Sequence, residues 1–171
     1  MNFFPPMNAR GQLFSTDLLF AVSVFLFALT FSIVFSNQLA VRVESIEAFN
    51  HQQDLARNAM NVLLTSPGYP GHWQALPDLS TVDGLGLASS RNQLVPAKVL
   101  AFMDLNASAY ADMKALLGLS RYDFEFSVND LNGSTLALVG TSPDANSTTA
   151  SINRLALYQG REVIVRLRVF D

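Results

Sequence analysis

The chain of 171 residues contains no cysteine, and this absence excludes several kinds of site. Disulfide bonds, thiol catalysis and cysteine-ligated zinc or iron–sulfur centres are all ruled out. An extracellular protein without disulfides must be stabilised by its core, by oligomerisation, or by both.

Histidine is also scarce, since His51 and His72 are the only two and lie in unrelated sequence contexts. No His-x-x-x-His or histidine–carboxylate cluster suggests a transition-metal site. A phosphate-binding glycine-rich motif with lysine and a Gly-x-Ser-x-Gly motif are absent as well. Asp78 and Asp83 lie in one acidic loop, but their spacing is wrong for an EF-hand calcium site. We therefore expect no cofactor, no metal and no enzymatic activity.

Charged residues are few and unevenly distributed. They make up 15% of the chain, whereas about a quarter is usual for a soluble domain. None lies between Leu18 and Val41, and the ten basic and thirteen acidic residues from Arg42 to Asp171 give a net charge of −3. This acidic balance argues against a nucleic-acid-binding surface.

The uncharged stretch predicts a membrane-spanning helix. Leu18 to Phe35 is 18 residues long and contains no glycine or proline. As an α-helix it would measure roughly 27 Å, close to the ~30 Å hydrocarbon thickness of a bilayer. The run is longer than the apolar region of a typical cleaved secretory signal, so we expect it to be retained. Arg10 before it favours a cytoplasmic N-terminus, with most of the chain outside.

Apolar residues continue at helical spacing beyond this span. They recur every three or four residues, with a gap at Gln52-Gln53: Leu39, Val43, Ile46, Phe49, Ala56, Met60 and Leu63. The pattern ends at Thr65-Ser66-Pro67-Gly68, a strong stop signal. The simplest interpretation is one helix from about Phe14 to Thr65, whose amphipathic second half supports a globular domain. The alternative is two helices with a break near Ser36-Asn37.

Two rows of residues at four-residue spacing run along the membrane half of this helix. One is bulky and the other small: Phe27, Phe31 and Phe35 form a ridge, and Ala28, Ser32 and Ser36 form an adjacent groove. Small residues let helices approach closely in lipid, and a ridge beside a groove would let identical helices interlock. The alternative is that the phenylalanines face lipid and the small residues form no interface.

The residues before the span carry a family resemblance. A short leader ending in Arg10 and Gly11, followed by Gln12 and an apolar helix, resembles the class III signal peptides of archaeal type IV pilin-like proteins. In that family a membrane peptidase cuts before the apolar helix, which implies cleavage between Gly11 and Gln12 here. The segment LLTSPGYPGHW, residues 63–73, is also similar to ectodomains of this type. The family's Ser and acidic residue at the third and fifth mature positions fall instead at the fourth and sixth, Ser15 and Asp17.

Asp17 is informative because an ionisable group at the edge of a span costs free energy unless it is hydrated or paired. In type IV pilins an acidic residue near the mature N-terminus is thought to neutralise the α-amino group of a neighbouring subunit. The resemblance therefore implies that Asp17 helps to set register during assembly. The alternative is a residue that is favoured by the helix macrodipole and wetted by headgroups.

The rest of the chain predicts an α+β head. A loop-rich stretch to about Val95 holds Tyr69 and Trp73, which could stack on a glycan or pack the loop onto the domain. Two short helices follow, from Pro96 and up to Gly118. The period then changes to two, and turns at Asn132-Gly133 and Gln159-Gly160 indicate four strands in two hairpins. We expect a leader at 1–11, a long helix at 12–65 packed on the antiparallel sheet, and a head at 66–171.

Three Asn-x-Ser/Thr sequons lie beyond the span, at Asn106, Asn132 and Asn146. On the outer side of a membrane such asparagines are candidate glycosylation sites. Asn132 could instead be required only for its turn.

These features together predict a structural subunit of an archaeal type IV pilus-like surface filament. Its partners would be other copies of itself, a prepilin peptidase with the assembly machinery, and membrane lipid before assembly. The first alternative is a minor pseudopilin or a monomeric membrane-anchored surface or adhesion protein. A second alternative is an anchored enzyme with an unrecognised site.

Overall fold

The structure is a computed structural model that describes residues 9–76 and 78–171, without the side chains of residues 9–15, 40 and 41. The prediction of a leader at 1–11 therefore falls largely outside the described residues. The chain divides into two compact units between Glu47 and Ala48, and each is considered by itself below.

A single helix, α1 (Ala9–Thr65), confirms the prediction of continuity past Ser36-Asn37. No proline or glycine interrupts it after Gly11. It ends at Thr65 because Pro67 disfavours helical geometry at the residue before it. Gly68 then takes a φ of 83°, which only glycine adopts at little cost.

Loop backbone satisfies the carbonyl groups at the end of α1. The N–H of Leu87 donates to the oxygen of Leu63 at 2.9 Å, and the N–H of Asn92 donates to that of Leu64 at 2.7 Å. Gly86 lies so close to Ser66 that a Cβ at this position would collide with its carbonyl oxygen. The C-terminal end of the helix is thereby fixed in the head by backbone contacts.

The remaining elements follow in chain order. After a 3₁₀ turn (Trp73–Ala75) come β1 (Ala88–Ser90), β2 (Gln93–Leu94), α2 (Pro96–Ser108), α3 (Tyr110–Leu116), β3 (Asp123–Asp130), β4 (Thr135–Gly140), β5 (Thr149–Tyr158) and β6 (Arg161–Phe170). The two helices and the β3–β4 and β5–β6 hairpins confirm the sequence prediction. The short strands β1 and β2 were not predicted, because the sequence there is rich in turn residues.

The six strands form one sheet in the order β1-β2-β5-β6-β3-β4. The four long strands pair antiparallel, as predicted. The sheet as a whole is mixed, because β2 pairs parallel with β5. The fold is therefore α+β, with a long N-terminal helix followed by a six-stranded mixed sheet.

One core joins the end of α1 to the inner face of the sheet. Its α1 members are at most 2% exposed, and the inward side chains of β3 and β6 are fully buried: Ala56, Ala59, Met60, Leu63, Leu64, Phe124, Phe126, Val128, Val163, Val165, Leu167 and Val169. Phe102 of α2 meets Phe126 edge to face, with ring centroids 5.5 Å apart. Alternation along β3 and β6 puts every second side chain into this core, as period-two patterning requires.

Candidate assembly helix and head surface

The apolar half of α1 is exposed on every side. All side chains described from Thr16 to Leu39 are exposed, and Phe20 and Phe27 retain 74% and 75% of their accessible surface. Thr30, a polar residue in this stretch, donates its hydroxyl to the carbonyl oxygen of Leu26 at 2.8 Å. This stretch of α1 is long and apolar enough to span a membrane. So large an apolar surface is stable only when lipid or protein covers it.

The residues of the implied processing site lie at the start of this helix. Gly11 and Gln12 belong to the first turns of α1, but their side chains are outside the described residues. Asp17 is described, and its side chain is exposed at the front edge of the apolar stretch. The roles of Gly11, Gln12 and Asp17 stay predictions.

Both rows of the predicted assembly face are accessible. Phe27, Phe31 and Phe35 are at least half exposed, and the rings of Phe31 and Phe35 stack with centroids 6.1 Å apart. The small residues Ala28, Ser32 and Ser36 are exposed as well. The geometry leaves both the ridge and the groove free for another helix or for lipid.

The amphipathic half of α1 contributes less to the head than the sequence pattern indicates. Ala56, Met60 and Leu63 are buried, as a supporting helix requires. The earlier members of the predicted stripe are exposed instead, including Val43 at 53% and Ile46 at 58%. Along α1, burial begins at Gln52, and the described side chains before it are exposed.

Gln52, which reads as a gap in the apolar pattern, is the first buried residue of α1. It is 3% exposed. Its Nε2 group donates to the carbonyl oxygens of Thr148 at 2.9 Å and Val169 at 2.7 Å. A buried amide with two backbone acceptors is a satisfied polar core residue, and it ties α1 to the ends of β5 and β6.

Trp73 packs the loop onto the domain, and Tyr69 does not. The indole of Trp73 is 2% exposed, and its Nε1 donates to the carbonyl oxygen of Gly86 at 2.9 Å. Tyr69 keeps 69% of its surface. The packing alternative is therefore correct for the tryptophan, and only the tyrosine remains available for stacking.

A cleft of about 190 Å³ lies beside Trp73, between the 3₁₀ turn and α2. Its lining combines apolar side chains with the carboxyl groups of Asp78 and Asp104. Hydrogen bonds from Ser80 hold the pKa of Asp78 below its usual range. Gln74 also lines this cleft. Among the residues that the structure describes, its Oε1 is the one buried side-chain polar atom without a hydrogen-bond partner.

The three sequons occupy different environments. Asn132 and Asn146 are exposed, in the β3–β4 turn and in the β4–β5 loop. Asn106 is half-buried in α2, and its Oδ1 accepts the N–H of Gly140 at 2.8 Å. Its Nδ2, the atom to which a glycan would be attached, does not take part in that hydrogen bond. Glycosylation stays a prediction at all three positions.

Two buried charged residues of the head were not predicted from the sequence. Glu125 is 5% exposed on the outer face of β3. Its carboxylate accepts from the Nε of Arg168 at 3.0 Å, from the Nη2 of the same side chain, and from Ser142 at 2.9 Å. Lys98 is 4% exposed and donates to the carbonyl oxygen of Pro67 at 2.6 Å, while burial lowers its pKa. Strand alternation alone would place Glu125 in solvent. No pattern in the sequence indicated that either Glu125 or Lys98 is buried.

Candidate metal ligands in the described part of the chain are histidine and carboxylate side chains. Within residues 16–76 and 78–171, no three histidine or carboxylate side chains group together as metal ligands. Asp78 and Asp83, considered for calcium, are both exposed. Comparison with protein-family models, with curated proteins and with solved structures found no match for the chain.

Proposed function

We propose that this chain is a structural subunit of a type IV pilus-like surface filament, anchored in the membrane by α1 before assembly. The observation that carries the proposal is the exposure of the whole apolar half of α1. A helix that is hydrophobic all round must be covered. Lipid would cover it before assembly, and the same helices of other copies would cover it in a filament. Such packing replaces lipid contact, so ridge-and-groove fit matters more than hydrophobicity.

The resemblance of Arg10-Gly11-Gln12 to class III signal peptides supports the same function and adds archaeal origin and peptidase processing. Under this proposal the cut before Gln12 creates a new α-amino group. Asp17 of a neighbouring copy would pair with it, since burial of either charge alone is costly. The head, with its sequons, would then lie on the outer surface of the filament.

Mass spectrometry of the native N-terminus tests the processing step. A mature chain that begins at Gln12 supports the proposal, whereas a mature chain that begins at Met1 contradicts it.

Electron microscopy of cell-surface filaments, with mass-spectrometric identification of their subunits, tests polymerisation. Asp17→Ala should abolish or strongly reduce incorporation and leave membrane insertion intact. Asp17→Glu, which keeps the carboxylate, serves as the control and should retain assembly. Unchanged assembly of Asp17→Ala would refute the proposed role of this residue.

The second candidate is a minor pseudopilin or an anchored surface-binding protein that does not polymerise. The cleft beside Trp73 favours it, because a concave surface that combines apolar side chains with the carboxyl groups of Asp78 and Asp104 suits a small ligand. Cells that carry the intact chain in the membrane but lack filaments containing it would favour this candidate.

A further inference from the structure

A short stripe of α1 beyond the predicted span has no covering in the structure. It consists of Leu39, Val43 and Ile46, which are 47%, 53% and 58% exposed and are spaced by four and three residues. We call these three residues the membrane-proximal stripe. We propose that it pairs with the same stripe of a second copy, as a parallel and in-register two-helix coiled coil.

Lipid is a poor partner for this stripe. Arg42, Glu44 and Glu47 alternate with its members and are exposed. If lipid covered the stripe, the bilayer core would have to hold three ionisable groups within six residues. Charged side chains are costly in the bilayer core and are rare there unless they are paired. An apolar stripe flanked by charges is instead the pattern of a helix that packs along one seam against protein.

The spacing of the stripe is that of a heptad repeat. If Val43 occupies position a, then Leu39 and Ile46 occupy the flanking d positions, and Asn50 falls at the next a position. A β-branched residue at a with leucine at d, as at Val43 and Leu39, favours two strands in a parallel coiled coil, and a polar asparagine at a second a position specifies register. Traced back toward the span, the same seam contains Ser36 at a, directly after the span, and Ser32 at d within it. Their small side chains permit close approach.

The charged residues beside the stripe favour a second copy of the chain as its partner. In this heptad Arg42 lies at position g and Glu47 at position e, five residues further on. In a parallel in-register pair, each g residue faces the following e residue of the partner helix, so Arg42 and Glu47 would form two symmetric ion pairs. Within the described chain, neither residue has an ion pair of its own.

Anchoring of the chain in a membrane favours parallel pairing of two copies. The inference rests on the membrane-anchoring part of the proposed function, because copies inserted by the same segment share direction and depth. Confinement to a bilayer raises their effective concentration, so a seam of few heptads is sufficient for pairing. Filament formation is not required, and a staggered helical array would not place identical positions opposite each other.

Disulfide cross-linking tests the pair directly, because the native chain contains no cysteine. The full-length chain carrying Ile46→Cys would be reconstituted in phosphatidylcholine vesicles and oxidised. Two d positions of a parallel pair lie within disulfide reach, whereas the outward f positions do not. We expect Ile46→Cys to form a covalent dimer at least about tenfold faster than the matched control Ala48→Cys at position f. Equal rates, or no dimer at Ile46→Cys, would overturn the proposal.

Charge exchange tests the register. In the Ile46→Cys background, Arg42→Glu should lower the cross-linking rate roughly fivefold, since two attractive pairs become repulsive. The double change Arg42→Glu with Glu47→Arg should restore it. Loss without restoration would contradict the Arg42–Glu47 pairing.

These vesicles hold no assembly machinery, which separates the two ideas. If dimers form in vesicles but cells carry no filaments, only the filament proposal is refuted. If cells carry filaments but no dimers form in vesicles, only the coiled coil is refuted. A chain that fails to float with the vesicles would remove the anchoring on which the pairing depends, and the coiled coil with it.

Discussion

Replacing Gln52 by leucine would test whether one buried amide holds α1 to the sheet. The side chain is 3% exposed, and its Nε2 donates to the carbonyl oxygens of Thr148 and Val169. Gln52→Leu keeps a similar volume and removes both donors. Two carbonyl groups at the ends of β5 and β6 then lose their partner in a place that water reaches poorly.

The expected loss follows from these two acceptors. A buried acceptor left unpaired costs about 1–3 kcal/mol, and more where no water can replace the donor. The bond to Val169 is buried and the bond to Thr148 is partly buried, so the second site would recover part of its loss through water. Leucine adds some apolar burial in return. We therefore expect the free energy of unfolding to fall by about 2–4 kcal/mol.

Urea denaturation of the full chain in detergent, followed by tryptophan fluorescence, measures this change. Trp73 is the only tryptophan and is buried in the head, so its emission reports the head and not the apolar part of α1. With a urea m-value of about 1–3 kcal/mol per molar, a loss of about 2–4 kcal/mol should lower the midpoint by roughly 0.7–4 M.

Gln53→Leu is the matched control for this experiment. Gln53 is half-buried, and its Oε1 accepts only an exposed bond from Arg57. A surface change of this kind should stay within about 0.5 kcal/mol. If Gln52→Leu unfolded at the same urea concentration as Gln53→Leu, the buried link between α1 and the sheet would be refuted.

Three further outcomes can be checked with the same fluorescence assay. Arg168→Ala should lower the free energy of unfolding by about 3–5 kcal/mol, because it leaves the buried carboxylate of Glu125 without its cation. The control Arg166→Ala, at an exposed position of the same strand, should change it by about 0.5 kcal/mol or less. Equal effects of the two substitutions would contradict the buried pair. Burial lowers the pKa of Lys98 in the folded chain from its usual 10.5. Between the folded-state pKa and 10.5 the unfolded chain therefore binds more protons than the folded chain. The free energy of unfolding should rise with pH across that window. Lys98→Met should flatten this rise, and an unchanged slope would show that another group causes it. A chain that starts at Ala48 should fold and stay soluble, because the described core begins at Ala56; aggregation or a denatured fluorescence spectrum would show that the earlier part of α1 is required.

The sequence was a reliable guide wherever a periodic pattern was long. The uninterrupted helix, its end at Thr65, the two short helices and both hairpins follow from helical spacing, stop signals and alternation. The strands β1 and β2 did not follow, because two or three residues are too few to show a period. Their position depends on the pairing of β2 with β5, a contact distant in sequence, and β1 pairs in turn with β2.

The same limit applies to the polar residues of the head. Gln52 interrupts an apolar pattern and Glu125 lies in the polar row of β3, so both read as solvent-facing. Burial of Glu125 depends on Arg168 and Ser142, which other strands and loops bring beside it. Asn106 likewise reads as a sequon, while the fold uses its Oδ1 to hold Gly140.

By itself the sequence determined the fold class and the apolar, uncharged character of residues 18–41 in α1, because both depend on local patterns of side-chain polarity. The tertiary structure alone decided where α1 enters the core. Seven apolar positions share the same helical spacing, yet Ala56, Met60 and Leu63 are buried while the membrane-proximal stripe remains exposed. Periodicity tells which face of a helix is apolar, but only the packed sheet decides which part of that face is covered.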